Sequence, residues 1–254
     1  MAWPEFPLAF YPVAVVAILL TGIAKGGFGG GAGGVAVPLM SMFIAPPEAA
    51  GIMLPILCAM DIFGVHAYRG RGSREHLRAM LPGALLGIGI GALAFGVLPV
   101  NAVRMLLGLI AVIFALNSWF ALTERLAARL AKPGPIAGAF WGAVSGFTST
   151  LAHAGGPPFA VYMLPQRLDK SVLVGTSITF FFIVNFVKLV PYGMLGQLNA
   201  GNLTTALIFA PLAPLGIWLG VWLHHRVSER AFYNVSYALL LATGVKLIWD
   251  AFAQ

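Results

Sequence analysis

The chain has 254 residues, of which 59% are hydrophobic and 9% charged. A water-soluble domain carries about a quarter charged residues, so this composition excludes an ordinary soluble fold. The formal net charge of +7 is spread over short connections between apolar runs rather than gathered on one polar face, which excludes nucleic acid as a partner.

The first apolar run, 8–24, follows a start without basic residues and reads as retained structure rather than a cleaved leader. It leads into the tract Lys25-Gly-Gly-Phe-Gly-Gly-Gly-Ala-Gly-Gly34. Each glycine costs about 1 kcal/mol relative to alanine in a helix, so the chain is expected to unwind from Lys25 onward. A short arm, 35–44, completes the unit. Membrane helices are then predicted over 47–68, 79–98 and 104–122. The single cysteine, Cys58, lies inside the first of these, so no disulfide framework exists and an inert buried thiol is expected.

A linker at about 123–134 separates this stretch from a second one. There an apolar run, 136–150, meets Leu151-Ala-His-Ala-Gly-Gly-Pro-Pro158, where two consecutive prolines are expected to interrupt the helix. A short arm, 159–164, follows, and membrane helices are predicted over 171–191, 203–223 and 231–251. The whole is an all-α integral membrane protein, one transporter domain of two repeats, about 8–122 and 135–251. Four matches in the same order support the repeat: Gly33-Gly34 with Gly155-Gly156, Gly51 and Asp61 with Gly175 and Asn185, Pro82, Gly87 and Gly91 with Pro211, Gly216 and Gly220, and Arg104 with Arg230. The Gly-x3-Gly spacing has a packing explanation, since small residues let helices approach closely in lipid.

Orientation follows from the basic residues. Segments 69–78, 124–132, 167–170 and 224–230 hold 11 of the 15 Lys and Arg. Placing them in the cytoplasm puts both termini outside and makes corresponding helices of the two repeats run in opposite directions. Inverted repeats with broken helices are a transporter architecture, and the location is the cytoplasmic (inner) membrane. The two interrupted units read as hairpins whose tips meet near the midplane, where exposed amides and half-helix N-termini favour an anion.

Charged groups at that depth are costly, so a functional role is the default. Lys25 and His153 sit at the two tips, and Lys188 lies one turn after Asn185 on the same helix face. Two lysines against Asp61 leave a net positive interior. The expected substrate-binding set is Lys25, Gly26, Gly29, Gly30, Gly33, Gly34, Ser149, Thr150, His153, Gly155, Gly156, Thr176, Asn185 and Lys188. Asp61 and His153 are candidates for coupling or gating, with a proton as the coupling ion. The competing structural reading pairs Asp61 with a lysine, and lets the Ser and Thr hydroxyls, Ser177 and Thr179 among them, bond helix carbonyls.

The stretch from Gly22 to Met40, with Leu54-Pro55, Asp61 and Tyr68-Arg69, resembles the opening signature of the TauE/SafE family of sulfite-exporter-like transporters. The segment Gly146 to Tyr162, with His153-Ala-Gly-Gly-Pro-Pro, resembles that family's second motif. The resemblance implies movement of small sulfur-containing anions such as sulfite or sulfonates, other members being associated with carboxylates. It carries over to Lys25, the glycines of the first tract, Asp61 and His153 through Pro157. A secondary transporter is therefore expected, with a passive anion channel or a carboxylate transporter as alternatives. No catalytic set, metal cluster or ATP-binding signature is read in the chain, so neither an enzyme nor a cofactor is expected. Partners are the substrate anion, a coupling proton and the bilayer; the sequence leaves the oligomeric state open.

Overall fold

The computed structural model describes residues 6–27, 33–120, 125, 134–223 and 229–253. Among them every regular element is helical. In chain order these are α1 (Phe10–Gly27), a 3-10 turn (Gly33–Val35), α2 (Ala36–Met40), α3 (Pro46–Ala67), α4 (Arg74–Val97) and α5 (Val100–Phe120). Then come α6 (Pro135–Ala152), α7 (Gly156–Met163), a 3-10 turn (Leu164–Gln166), α8 (Lys170–Met194), α9 (Ala200–Phe209), α10 (Leu212–Leu223) and α11 (Glu229–Ala253). Among the described residues five helices are long and apolar enough to cross a bilayer, or six if α9 and α10 count as one bent span. Their outer faces carry exposed Leu86, Leu93, Val97, Leu207 and Trp218, the surface that lipid rather than water would cover.

Local chemistry sets the helix ends. Asp169 caps α8 by accepting from the Ser171 amide at 2.9 Å, and Asn199 caps α9 from the Asn202 amide at 3.0 Å. Gly70 (φ 76°) and Gly196 (φ 69°) follow α3 and α8 and let the chain turn through the left-handed region.

Three sequence expectations are corrected. Helix α1 continues through Lys25, Gly26 and Gly27 instead of unwinding at Lys25. The reason is tertiary: a Cβ on Gly22 would sit 2.8 Å from Gly216 Cα, and one on Gly27 would sit 2.3 Å from the Gly220 carbonyl oxygen. Backbone-to-backbone packing of α1 on α10 offsets the poor helix propensity of these glycines. Second, the break in the other half precedes the prolines. Helix α6 ends at His153, and Pro157 and Pro158 occupy the first turn of α7, where a missing N–H costs nothing. Third, the predicted continuous helix 203–223 bends by 41° between α9 and α10, at Pro211, which has no amide to donate.

Packing is reciprocal between the two parts of the chain. Helix α1 lies along α10, α4 lies along α6, α3 crosses α8 and α5 lies along α11. Gly51 of α3 abuts the Gln197 carbonyl in the connection after α8, while Gly175 of α8 abuts the Arg71 backbone in the connection after α3. The α4–α6 seam is the tightest. A Cβ on Gly83 or Gly87 would fall 1.8 or 2.0 Å from the Ala139 or Ala143 carbonyl oxygen, and one on Gly142 or Gly146 would fall 2.1 or 2.2 Å from that of Met80 or Ala84. The Gly87 and Gly91 spacing, and that of Gly216 and Gly220, therefore serves close helix approach, as the sequence suggested.

Candidate functional site

Four elements converge on one buried polar cluster. Lys25 projects from the last turn of α1, Asp61 from α3, His153 from the end of α6, and Asn185 and Lys188 from α8. Lys25 donates to Asp61 Oδ1 in an ion pair, and Asn185 Nδ2 donates to Asp61 Oδ2 at 2.6 Å. Both carboxylate oxygens are thus engaged, one by a cation and one by a neutral amide. The pairing of Asp61 with a lysine, the structural alternative in the sequence, is what the fold contains.

Lys188, the second lysine of the cluster, is fully buried. Its Nζ donates to the Ser149 carbonyl at 3.0 Å and to Ser149 Oγ at 2.9 Å, and lies 2.7 Å from His153 Nδ1. An ammonium has three hydrogens, and three acceptors surround this one. The opposite ring nitrogen, His153 Nε2, faces the Ala50 carbonyl oxygen at 3.0 Å. A carbonyl only accepts, so Nε2 carries the ring hydrogen and Nδ1 is free to accept from Lys188. His153 is thereby neutral. Among the described residues no carboxylate forms an ion pair with Lys188, and its hydrogen-bond partners are all neutral acceptors.

His153 reaches this position through unusual backbone. It is in the left-handed conformation (φ 52°), which costs a non-glycine residue about 1–2 kcal/mol. Its amide bonds the Ser149 carbonyl at 3.0 Å and that of Ala154 bonds the Thr148 carbonyl at 3.3 Å, closing the helix end. The ring stacks on Tyr192, centroids 5.9 Å apart, and Tyr192 stacks in turn on Phe95 at 5.8 Å. The Tyr192 hydroxyl donates to the Thr150 carbonyl at 2.6 Å. Tyr192 is the largest fully buried side chain among the described residues, and it closes one side of the cluster.

A small, partly open cavity of about 30 Å³ adjoins the cluster. Thr21, Lys25, Leu57, Ser149, His153 and Asn185 line it, and along α8 it extends past Phe181 to Ser177. Lys25 has no hydrogen-bond partner besides Asp61 among the described residues, which leaves ammonium hydrogens for a ligand.

The remaining expected site residues fall in different places. Gly156 lines the cavity. Gly155 packs against Ser145 and Phe181, and Gly34 against Ala154, which brings the two interrupted segments into contact. Gly26 is held against Ile217 of α10. Gly29 and Gly30 lie outside the described residues, and Gly33 opens the 3-10 turn. The Thr150 hydroxyl donates to the Gly146 carbonyl at 2.8 Å. That of Thr176 donates to the Val172 carbonyl at 2.6 Å and accepts from the Ser73 amide at 2.9 Å, fixing the start of α4. Neither threonine lines the cavity. The expected half-helix N-terminus is also poor in donors, because Pro157 and Pro158 have no amide hydrogen and the Phe159 amide bonds the Gly155 carbonyl.

Sequence reasoning missed Tyr192, Phe181 and Thr21. A signal existed for the first two: Ser177, Phe181, Asn185, Lys188 and Tyr192 recur at helical spacing and form one stripe of α8. Tyr192→Phe removes the donor to a buried carbonyl, and a loss of about 1–3 kcal/mol in stability is expected. Thermal melts of the purified variant and wild type check it.

With this geometry in place the comparison with known families is decisive. The family model for Sulfite exporter TauE/SafE matches residues 14–247. The chain belongs to this family. No curated protein and no solved structure matches the chain. The family match spans both interrupted segments and every member of the polar cluster, so the TauE/SafE resemblance of the two glycine motifs extends over the whole bundle. As a member of a transporter family with five or six apolar helices of spanning length, the chain is a multi-pass membrane protein.

Proposed function

We propose that the chain is a secondary transporter that carries a small sulfur oxyanion or organosulfonate across the cytoplasmic membrane by alternating access. Sulfite, the anion in the family's name, heads the list of substrates. The observation that carries this reading is Lys188, a fully buried lysine without an ion-pair carboxylate among the described residues, held by Ser149 and His153, which line the cavity. A charge at that depth is expensive, and an anion in the cavity would supply the missing counter-charge. Lys25, Ser149 and Asn185 add donors at the same cavity.

The reciprocal packing of α1 with α10 and α4 with α6 supports two oppositely inserted halves. In this reading the arginine-rich connections face the cytoplasm and both termini lie outside. The cavity runs along α8 toward Ser177 and so toward the cytoplasmic end, while Tyr192 seals the external side. Asp61 is the coupling group. Taking up a proton would release Lys25 and reset the charge of the site between the two faces.

Lys25→Ala tests the assignment. Removing one partner of a buried ion pair strands the other and costs about 3–5 kcal/mol. Here it also leaves the Asp61 carboxylate at a site meant for anions. Sulfite flux in proteoliposomes should fall to background in a variant that still inserts, and the double variant Lys25→Ala/Asp61→Asn should recover thermal stability. Wild-type flux in Lys25→Ala would contradict the site. Proton coupling makes a separate demand: an imposed pH gradient must drive uptake, and indifference to the gradient would remove Asp61 and His153 as coupling groups.

A further inference from the structure

Membrane orientation asks only that the first connection carry positive charge; the fold also holds that charge on a fixed frame. Arg69 and Arg71 lie between α3 and α4, Arg74 and Arg78 in the first turns of α4, and Arg167 follows the 3-10 turn after α7. All five are exposed. Among the described residues none of them forms an ion pair or a side-chain hydrogen bond, although Glu75 and Asp169 lie on the same segments.

Neighbouring helices pin the backbone beneath them. The Arg71 backbone lies against Gly175 of α8, where an added Cβ would meet it at 2.9 Å. The Ser73 amide donates to Thr176 Oγ1 at 2.9 Å. His76 Nδ1 lies 3.3 Å from the Tyr162 hydroxyl, which ties the first turn of α4 to α7 and so to Arg167. Arg167 itself is left-handed (φ 52°), a conformation that glycine adopts without steric cost and other residues rarely adopt. A side chain kept there, exposed and unpaired, is marked for a contact outside the chain. Beside the arginines, Ile62 and Phe63 of α3 and Leu164 after α7 present exposed apolar surface.

We propose that this surface docks an anionic phospholipid of the surrounding bilayer, with its phosphate on the arginines and its chains on the apolar residues beside them. The inference is separate from the transport reading and does not depend on which anion is carried. Guanidinium forks match pairs of phosphate oxygens, and clusters of about four to eight basic residues next to a spanning helix attract acidic headgroups. A free phosphate would satisfy the arginines alone, whereas a phospholipid satisfies the arginines and the apolar surface together. A zwitterionic lipid brings its own cation to a surface already rich in unpaired cations.

Purified full-length protein in a neutral detergent is titrated with phosphatidylglycerol, with phosphatidylcholine of the same acyl chains, and with inorganic phosphate. The melting temperature is followed, because a ligand that binds only the folded form raises it. Phosphatidylglycerol should act at about a hundredfold lower concentration than phosphatidylcholine. Arg69→Gln/Arg71→Gln/Arg74→Gln should raise the half-effective phosphatidylglycerol concentration about a hundredfold, or about fivefold per arginine. The same three positions changed to Lys keep the charge and should stay within about tenfold of wild type. Arg167→Gly separates docking from folding. Glycine suits the left-handed backbone, so the lipid-free melting temperature should match or exceed that of wild type, while the phosphatidylglycerol response weakens about fivefold. Equal response to the two lipids would overturn the proposal. So would a wild-type phosphatidylglycerol response in either the Gln variant or Arg167→Gly, the second of which carries the test if the first does not fold. Inorganic phosphate that matched phosphatidylglycerol at equal concentration, with the effect lost in the Gln variant, would assign the surface to a soluble anion and overturn it as well.

Discussion

Lys188→Met should abolish sulfite flux while leaving the bundle folded. The substitution deletes the one charge of the cluster that lacks a charged partner and keeps an unbranched chain of similar length in a fully buried position. An anion entering the variant meets a neutral ion pair and no free cation, and a loss of about 2.5–3.5 kcal/mol, roughly a hundredfold, is expected. Folding responds in two opposing ways. The cost of burying an ammonium disappears, whereas Ser149 and His153 Nδ1 lose their donor. Because replacement of buried ions by apolar groups is often neutral or stabilising, the variant should melt near the wild-type temperature. Ligand response separates binding from folding: sulfite raises the melting temperature of wild type by mass action and should not raise that of Lys188→Met.

The second large effect is structural. Gly83→Ala places a methyl group 1.8 Å from the Ala139 carbonyl oxygen, an atom of the α6 backbone that cannot swing aside. Helices α4 and α6 must separate, and forced overpacking of this kind costs about 1–3 kcal/mol or more. The same applies to Gly142→Ala, facing the Met80 carbonyl oxygen at 2.1 Å. Gly89, on the opposite side of α4, has open space around its added methyl, so Gly89→Ala should be neutral or slightly stabilising through helix propensity. Thermal melts of the three variants in one detergent decide the matter. Equal loss at Gly83 and Gly89 would mean that the seam is not what holds these helices.

The helical membrane fold was legible because a bilayer-spanning helix must be apolar over its full length, and long runs such as those in α4 and α8 say so directly. The path of α1 was not. Its last turn is glycine-rich, and whether such a tract unwinds depends on what packs on it; Gly216, Ile217 and Gly220 supply a matching surface almost two hundred residues later. The bend between α9 and α10 sits at a proline, yet Pro82 lies within a continuous α4, so a proline alone does not locate a break. In the site, the titratable residues stood out because each is anomalous at depth. Their partners did not: that Lys25 takes Asp61 while Lys188 takes Ser149 and His153 is set by helix crossings that no local pattern encodes. Thr150 and Thr176 were attractive by residue type, but their hydroxyls are committed to helix carbonyls. Tyr192 was missed because an aromatic residue in an apolar run looks like packing until its place in the Asn185 and Lys188 stripe is noticed.

The central claim is that the substrate anion binds beside the buried lysines and nowhere else of consequence. Anomalous scattering from selenite, a heavier relative of sulfite, locates the anion directly in a structure of the protein in lipid. A peak is predicted in the cavity among Lys25, Ser149, His153 and Asn185. Selenite ordered only on the arginine-rich connection 69–78, with the cavity empty, would contradict the account.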